Sequence, residues 1–181
     1  MHMRLLLQIC VVTCSAALLA PISSAADFRA LDFDKFCDDV TALEAARGAS
    51  VFEGQLPTGY QFAFRAREMN REAIVVYACR DGQFYRGAYI FDVTDAAEAT
   101  RLYAEVKQRV TRELGAPYYD FASQEHRRKM SEVGATLSQA DTQVAFWKAP
   151  RSEAHASVIV PASDRGWRVS LSYTALSALG E

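Results

Sequence analysis

The residues best suited to chemistry in this chain are few. Beyond residue 26 it holds two cysteines, Cys37 and Cys79, two histidines, His126 and His155, a basic run His126-Arg127-Arg128-Lys129 and a tyrosine pair Tyr118-Tyr119. Each asks for different surroundings. A pair of cysteines serves as a disulfide, as two inert buried thiols, or as a nucleophile with a spare. The nucleophile needs an electropositive, part-exposed setting. Arg80 and Arg86 can supply that, but no histidine lies near Cys79 in sequence to act as base. An even cysteine count in an exported protein favours the disulfide Cys37–Cys79. Closing a loop of about 43 residues stabilises a fold by about 4 kcal/mol in the chain-entropy account.

The histidines have no paired spacing and the cysteines stand far apart, so zinc-ligand spacing and a calcium loop are both missing from the sequence. A Gly-rich phosphate cradle and a Gly-x-Ser-x-Gly elbow are missing too. No cofactor or metal is expected. A hydrolase built on His126 or His155 is the catalytic alternative, and the reading leans away from an enzyme. The basic run suits phosphate headgroups, lipopolysaccharide or an acidic partner, and equally a solvated face between Glu125 and Glu132. Tyr118 and Tyr119 follow Gly115-Ala116-Pro117. Loop tyrosines, apolar in body and polar at the tip, suit recognition as well as packing.

The start of the chain bears on compartment. Met1 to Arg4 is a short basic n-region, Leu5 to Ala20 is mostly apolar, and Ser23-Ser24-Ala25-Ala26 supplies the small residues a signal peptidase accepts. Residues 1–26 are therefore expected to be a cleaved leader to the periplasm, leaving residues 27–181 as one domain. Cys10 and Cys14 leave with the leader. Nothing later is long and apolar enough to span a bilayer. Arg4 is the only charge in the leader, so 19 basic and 22 acidic residues remain, a net charge near −3 that argues against nucleic acid.

The elements that position these residues follow from periodicity. Phe33, Phe36, Cys37, Val40 and Leu43 or Ala46 form one helical stripe, with Asp32 or Asp34 to start it and Gly48 to end it. "SVFEGQL" and "YQFAFRA" read as short strands. Asp81-Gly82 between two apolar runs is a two-residue hairpin signal. Its register pairs Cys79 with Phe84, Tyr77 with Arg86 and Val75 with Ala88. The opposite face carries Ile74, Val76, Ala78, Tyr85, Tyr89 and Phe91, and either face can meet the first helix. Asp95 and Glu98 cap a long helix with the stripe Ala99, Leu102, Tyr103, Val106, Val110 and Leu114. Its outer Arg101, Glu105, Arg109 and Glu113 read as a solvated face. Ser123–Gly134 reads as a short helix. "DTQVAFWKA", "HASVIVPA" and "WRVSLSYT" close the chain as strands, with a turn over residues 163–166 and a wet face of Arg168, Ser170 and Ser172. Trp147 and Trp167 read as core or sheet residues. The fold class expected is α+β: an antiparallel sheet of about six to seven strands in two groups, packed by an N-terminal helix and a long central helix.

"VVYACRDGQF" resembles the Tyr-x-Cys-x-x-Gly strand of small periplasmic C-type lysozyme inhibitors, and "AFWKAPRSEAHASV" resembles a Trp-containing strand of that family. Together they cover about 25 residues. The resemblance implies a secreted inhibitor that plugs a cleft with loop residues and holds Cys79 in a structural disulfide. Those proteins are smaller all-β barrels with a Ser-Gly-rich inhibitory loop that has no match here, so no functional residue is carried over. The function expected is a non-catalytic binding or protein-interaction module, with an envelope protein or a small ligand as partner. Its contact surface is placed at Tyr118, Tyr119 and residues 126–129. An inhibitor or immunity-type protein and a hydrolase are the alternatives.

Overall fold

The computed structural model describes residues 27–29, 31–121, 141–159 and 166–179. In chain order the elements are α1 (Val40–Ala46), β1 (Ser50–Val51), β2 (Phe62–Glu68), β3 (Arg71–Arg80), β4 (Gln83–Val93), α2 (Ala96–Leu114), β5 (Tyr119–Asp120), β6 (Asp141–Lys148), β7 (Ser152–Ile159) and β8 (Trp167–Ala175), followed by a 3-10 turn at Leu176–Ala178. The class is α+β, as expected. The sheet differs: its eight strands form one antiparallel sheet in the order β1-β2-β3-β4-β8-β7-β6-β5, not six or seven in two groups. The strands before α2 and those after it meet where β4 pairs with β8. Both helices pack on the same half-apolar sheet, α1 by β1 and β2, α2 by β6, β7 and β8.

Local chemistry accounts for the central strands. The β3–β4 turn has Asp81 at φ 52° and Gly82 at φ 79°, the left-handed pair that suits the strand twist. Met69 and Asn70 make the β2–β3 turn in the same way, at φ 52° and 59°, and only Asn70 is a residue type that signals it. Cys79 faces Phe84 as the hairpin turn requires, but the next pairs are Ala78 with Arg86, Tyr77 with Gly87 and Val75 with Tyr89. Tyr85 is thus one residue extra on β4, a β-bulge. It reverses the expected faces. Tyr89, Phe91 and Val93 join Val75, Tyr77, Cys79 and Phe84 in the helix-covered core, while Arg86, Ala88 and Ile90 turn to the other face.

The first helix is shorter than its stripe predicts. Only Val40–Ala46 is helical, and Phe36 is 65% exposed. The backbone upstream spends its hydrogen bonds on the hairpin instead. Asp34 N–H donates to the Phe84 carbonyl (3.0 Å), Phe84 N–H to the Lys35 carbonyl (2.8 Å) and Cys37 N–H to the Gly82 carbonyl (2.8 Å). Those contacts bring Cys37 over Cys79. The two are joined as a disulfide, with Cα atoms 6.5 Å apart. The second helix forms as its caps predict: Asp95 Oδ1 accepts the Glu98 N–H at 2.8 Å, and Gly115 ends it at φ 86°.

The opening residues are also built in. Phe28 lies against Tyr77, Phe84, Tyr89 and Tyr173, with ring centroids 4.9–6.0 Å apart. It fills the gap above Gly87, where a Cβ would overlap its ring. Trp147 is fully buried, and its indole N–H donates to Thr111 Oγ1 at 3.3 Å. The strand read as "SVFEGQL" is limited to two paired residues. The helix expected at Ser123–Gly134 lies outside the described residues. No helix among the described residues is long and apolar enough to cross a membrane.

Replacing both Cys37 and Cys79 with Ala is expected to lower unfolding free energy by up to about 4 kcal/mol in urea titrations. An unchanged midpoint would remove the cross-link from the list of stabilising features. Gly87→Ala is expected to destabilise by a further 1–3 kcal/mol, on the order of other overpacked cores, by displacing Phe28.

Candidate functional site

Of the concavities among the described residues, two are lined by arginines, one on each face of the sheet, and their electrostatics decide between them. The larger, about 660 Å³, lies on the helix side between residues 27–29, the end of α2 and the β6–β7 turn. Its charged groups are matched to one another. Arg29 Nε donates to Glu44 Oε1 at 2.8 Å and reaches Glu68 at 3.4 Å. Arg109 bridges Glu68 and Glu113, the latter at 3.1 Å, so it is a tether between α2 and β2 as well as part of the solvated face expected for it. Arg151 meets Asp27 at 3.1 Å. Burial and the nearby Glu68 charge push the Tyr89 hydroxyl up to about 12, so it stays protonated. This cluster is a clasp that holds the N-terminal segment in place.

The smaller concavity, about 270 Å³, lies on the face without helices. It is built from successive cross-strand rows. One row runs Tyr119, Phe146, His155, Ser172, Ala88. The next runs Val144, Ser157, Ser170, Ile90. Arg86 caps one end opposite Thr174, and Arg168 with Asp92 closes the other, Nε to Oδ1 at 2.8 Å. Pro57 and Tyr60, from the segment before β2, form the wall. Gln61 pins that wall beside the bulge: its side-chain amide accepts from Cys79 N–H at 2.8 Å and donates to the Cys79 carbonyl at 3.2 Å.

Here the polar groups are sunk but not all matched. Ser157 is 1% and Ser172 4% exposed. Ser157 and Ser170 share a hydrogen bond of 2.9 Å, which leaves one hydroxyl proton of the pair to donate elsewhere. The Arg86 guanidinium sits over the Tyr60 ring, 5.2 Å from its centroid, and makes no ion pair among the described residues. Its Nε is buried without a hydrogen-bond partner, as is Nε2 of His155. The His155 ring is stacked on Phe146, with centroids 4.4 Å apart and planes within 5°. Burial, and secondarily the Arg86 charge, push its pKa down to about 4. The imidazole is neutral at pH 7.

The residues singled out from sequence fare unequally. Cys37 and Cys79 are bridged and therefore hold no reactive thiol. Tyr118 lies in the connecting segment just before β5, and Tyr119 is in β5 itself, not on a loop. Tyr118 donates to the Glu153 carboxylate with the Lys148 ammonium over its ring, and Tyr119 packs edge-on against Phe146 at 5.6 Å. Tyr119 thus stands two strands from His155, in the same row. His126, Arg127, Arg128 and Lys129 lie outside the described residues. Ser170 and Ser172 were expected on the wet face and are there, though recessed. Arg86 was expected on the Cys79 face and is not. Its signal lay in parity, since Arg86 and Asp92 occupy one alternation and Tyr89, Phe91 and Val93 the other.

The depressed His155 pKa has a stability consequence. The unfolded histidine titrates near its usual ~6.5 and the folded one near 4, so the unfolded chain binds the extra proton across that window. Stability is at its full value above pH ~6.5 and falls as pH drops toward 4, by roughly 3 kcal/mol as an upper figure for this part-buried ring. The charges around it are Arg86 on β4, Glu153 on β7, Lys148 on β6 and the Arg168–Asp92 pair. His155→Gln is expected to flatten that segment of the pH–stability curve. A variant with the same slope would show that other groups carry the acid sensitivity.

No family model matches the chain, and neither a curated protein nor a solved structure is significantly similar to it. The two segments that resemble lysozyme inhibitors fall in the β3–β4 and β6–β7 hairpins of one helix-backed sheet, and Cys79 pairs upstream to Cys37.

Proposed function

We propose that this protein is an exported, non-catalytic binding module of the periplasm and that it takes a small ligand on the open face of its sheet. The observation that carries the reading is the recessed polar pocket of Arg86, His155, Ser157, Ser170 and Ser172, whose donors are buried but not fully matched within the protein. Buried polar groups are nearly always hydrogen-bonded. A pocket that leaves two such nitrogens open is shaped for something else to complete it.

Several features support binding over turnover. His155 is stacked on an aromatic ring, is held neutral, and has no carboxylate hydrogen-bonded to it among the described residues. A general base needs an orienting partner and a pKa near the working pH. Ser157 and Ser170 bond to each other and not to a base. The site stands on β-strands, and that rigidity suits recognition. Export is supported by the leader-like first 26 residues and by the Cys37–Cys79 bridge, which oxidising compartments retain.

Native mass spectrometry of the mature, oxidised protein taken from its own envelope is the direct test. A small adduct, lost on denaturation and at least tenfold less occupied after Ser170→Trp fills the pocket, is the expected result. Recovery with a stoichiometric protein partner and no small adduct would overturn the small-ligand reading in favour of an inhibitor or immunity-type role.

A further inference from the structure

We infer that the open-face pocket is an oxyanion site, in which Arg86 clamps the carboxylate or phosphate group of a small molecule and the serines of β7 and β8 bind its remaining oxygens. This rests on the binding reading above and adds the class of ligand. Three observations carry it. The first is charge. Arg86 and Arg168 line the pocket and, among the described residues, no carboxylate does; Asp92, bonded to Arg168 at its edge, is not part of the lining. Asp92 offsets Arg168, so a cationic ligand would meet the uncompensated charge of Arg86.

The second is the state of Arg86. On the other face Arg29 and Arg109 each bridge two carboxylates, Arg29 those of Glu44 and Glu68 and Arg109 those of Glu68 and Glu113. Arg86 has only the face of Tyr60, and its Nε–H is buried without an acceptor. Guanidinium offers parallel N–H donors that match carboxylate or phosphate oxygens two at a time. The aromatic face holds the cation in place without occupying those in-plane donors.

The third is the pattern of the floor. Hydroxyls of Ser172 and of the Ser157–Ser170 pair occupy the β7–β8 side, and Ala88 and Ile90 the β4 side. A ligand with one charged end, further oxygens and a short apolar edge fits that division. The volume of about 270 Å³ suits a small molecule. His155 adds a reporter. An anion seated beside it offsets the Arg86 charge and favours the protonated ring, so its pKa is expected to rise on binding. Among the described residues, Tyr60, Glu153, Lys148, Arg168 and Asp92 are the other titratable or charged groups on that face.

The test uses the mature, oxidised protein labelled with nitrogen-15, titrated at constant ionic strength with inorganic phosphate in one arm and succinate in another. Choline and glucose serve as cation and neutral probes. Saturable amide shifts confined to β4, β7 and β8, with an upward move of the His155 titration by about one unit, are expected in at least one anion arm. The arm that saturates names the phosphate or the carboxylate source. Arg86→Gln is expected to weaken binding at least tenfold, Arg86→Lys to restore part of it, and Arg151→Gln, in the other cavity, to change nothing. If Arg86→Gln fails to fold, Ser172→Ala with a threefold or greater loss carries the same conclusion. Anion binding untouched by these pocket variants, or no saturable anion binding, overturns the oxyanion assignment. Glucose saturating on this face while both anions fail removes the ligand class and keeps the binding reading. Silence from every probe, together with no native adduct, removes both.

Discussion

One extra residue in β4 determines which face of the sheet becomes core and which becomes site. Two constraints meet at the β3–β4 hairpin and disagree by one position. The two-residue turn at Asp81-Gly82 sets Cys79 opposite Phe84, and the disulfide to Cys37 holds that end against the helix side. Farther along β4 the bulky apolar residues Tyr89, Phe91 and Val93 must also face the helices, yet they stand on the opposite parity from Phe84. Side chains alternate with a period of two, so a regular ladder satisfies only one end. The bulge at Tyr85 reconciles them. Its by-product is that Arg86, which an unbroken ladder would drive into the apolar core beside Tyr77, emerges on the open face over Tyr60.

The helix side shows how the same chain treats charge when no ligand is wanted. Glu44 is 1% exposed on a short helix, and its carboxylate takes both the Arg29 guanidinium and the Tyr77 hydroxyl. Such a buried pair contributes little net stability, because desolvating two ions costs about what their attraction returns. Its value here is geometric. Arg29 adjoins Phe28, and together they seat residues 27–29 against the aromatic gap above Gly87. Removal of either charge would strand the other in a dry site. Among the described residues the arginines lining the larger cavity are all ion-paired, and the buried atoms without a partner on this side, Glu44 Oε2 and the Tyr103 hydroxyl, do not line it.

How much of this was legible in the sequence depended on the range of the physics involved. The cysteine pairing, the hairpin turn, the Asp95 cap and the Gly115 stop rest on local chemistry and are realised as read. The alternation in Trp167–Ala175 also predicted Ser170 and Ser172 opposite Val169 and Leu171. The N-terminal helix was overread because the Phe33–Val40 stripe is real, but its backbone found better partners on the hairpin than in a helical turn. Register extended from the turn puts Arg86 on the wrong face because β4 does not keep one parity along its length. The Met69–Asn70 turn was missed because a methionine with positive φ has no compositional signal. The joining of two strand groups into one sheet required β4 and β8 to meet, a contact between distant segments that no local pattern encodes.

The open face can be understood as a deliberate shortfall in satisfaction. The ordinary fate of a polar sheet face is to be solvated, and then its serines, histidine and arginine would need no explanation. This one is walled by Tyr60 and Pro57 and by the aromatic row that ends at Phe146, so its donors are withdrawn from water without acquiring partners. Leaving a buried donor unmatched costs about 1–3 kcal/mol, more for a charged one. Replacing Arg86 by an apolar residue would spare the fold that cost and extend the small cluster of Ala63, Val76, Ala88 and Ile90 beside it. The fold instead holds a guanidinium there, aimed by a bulge and backed by the Tyr60 ring, whose neighbour Gln61 is pinned to the Cys79 backbone. Stability does not require that arrangement, whereas capture of an oxygen-bearing anion makes use of every part of it.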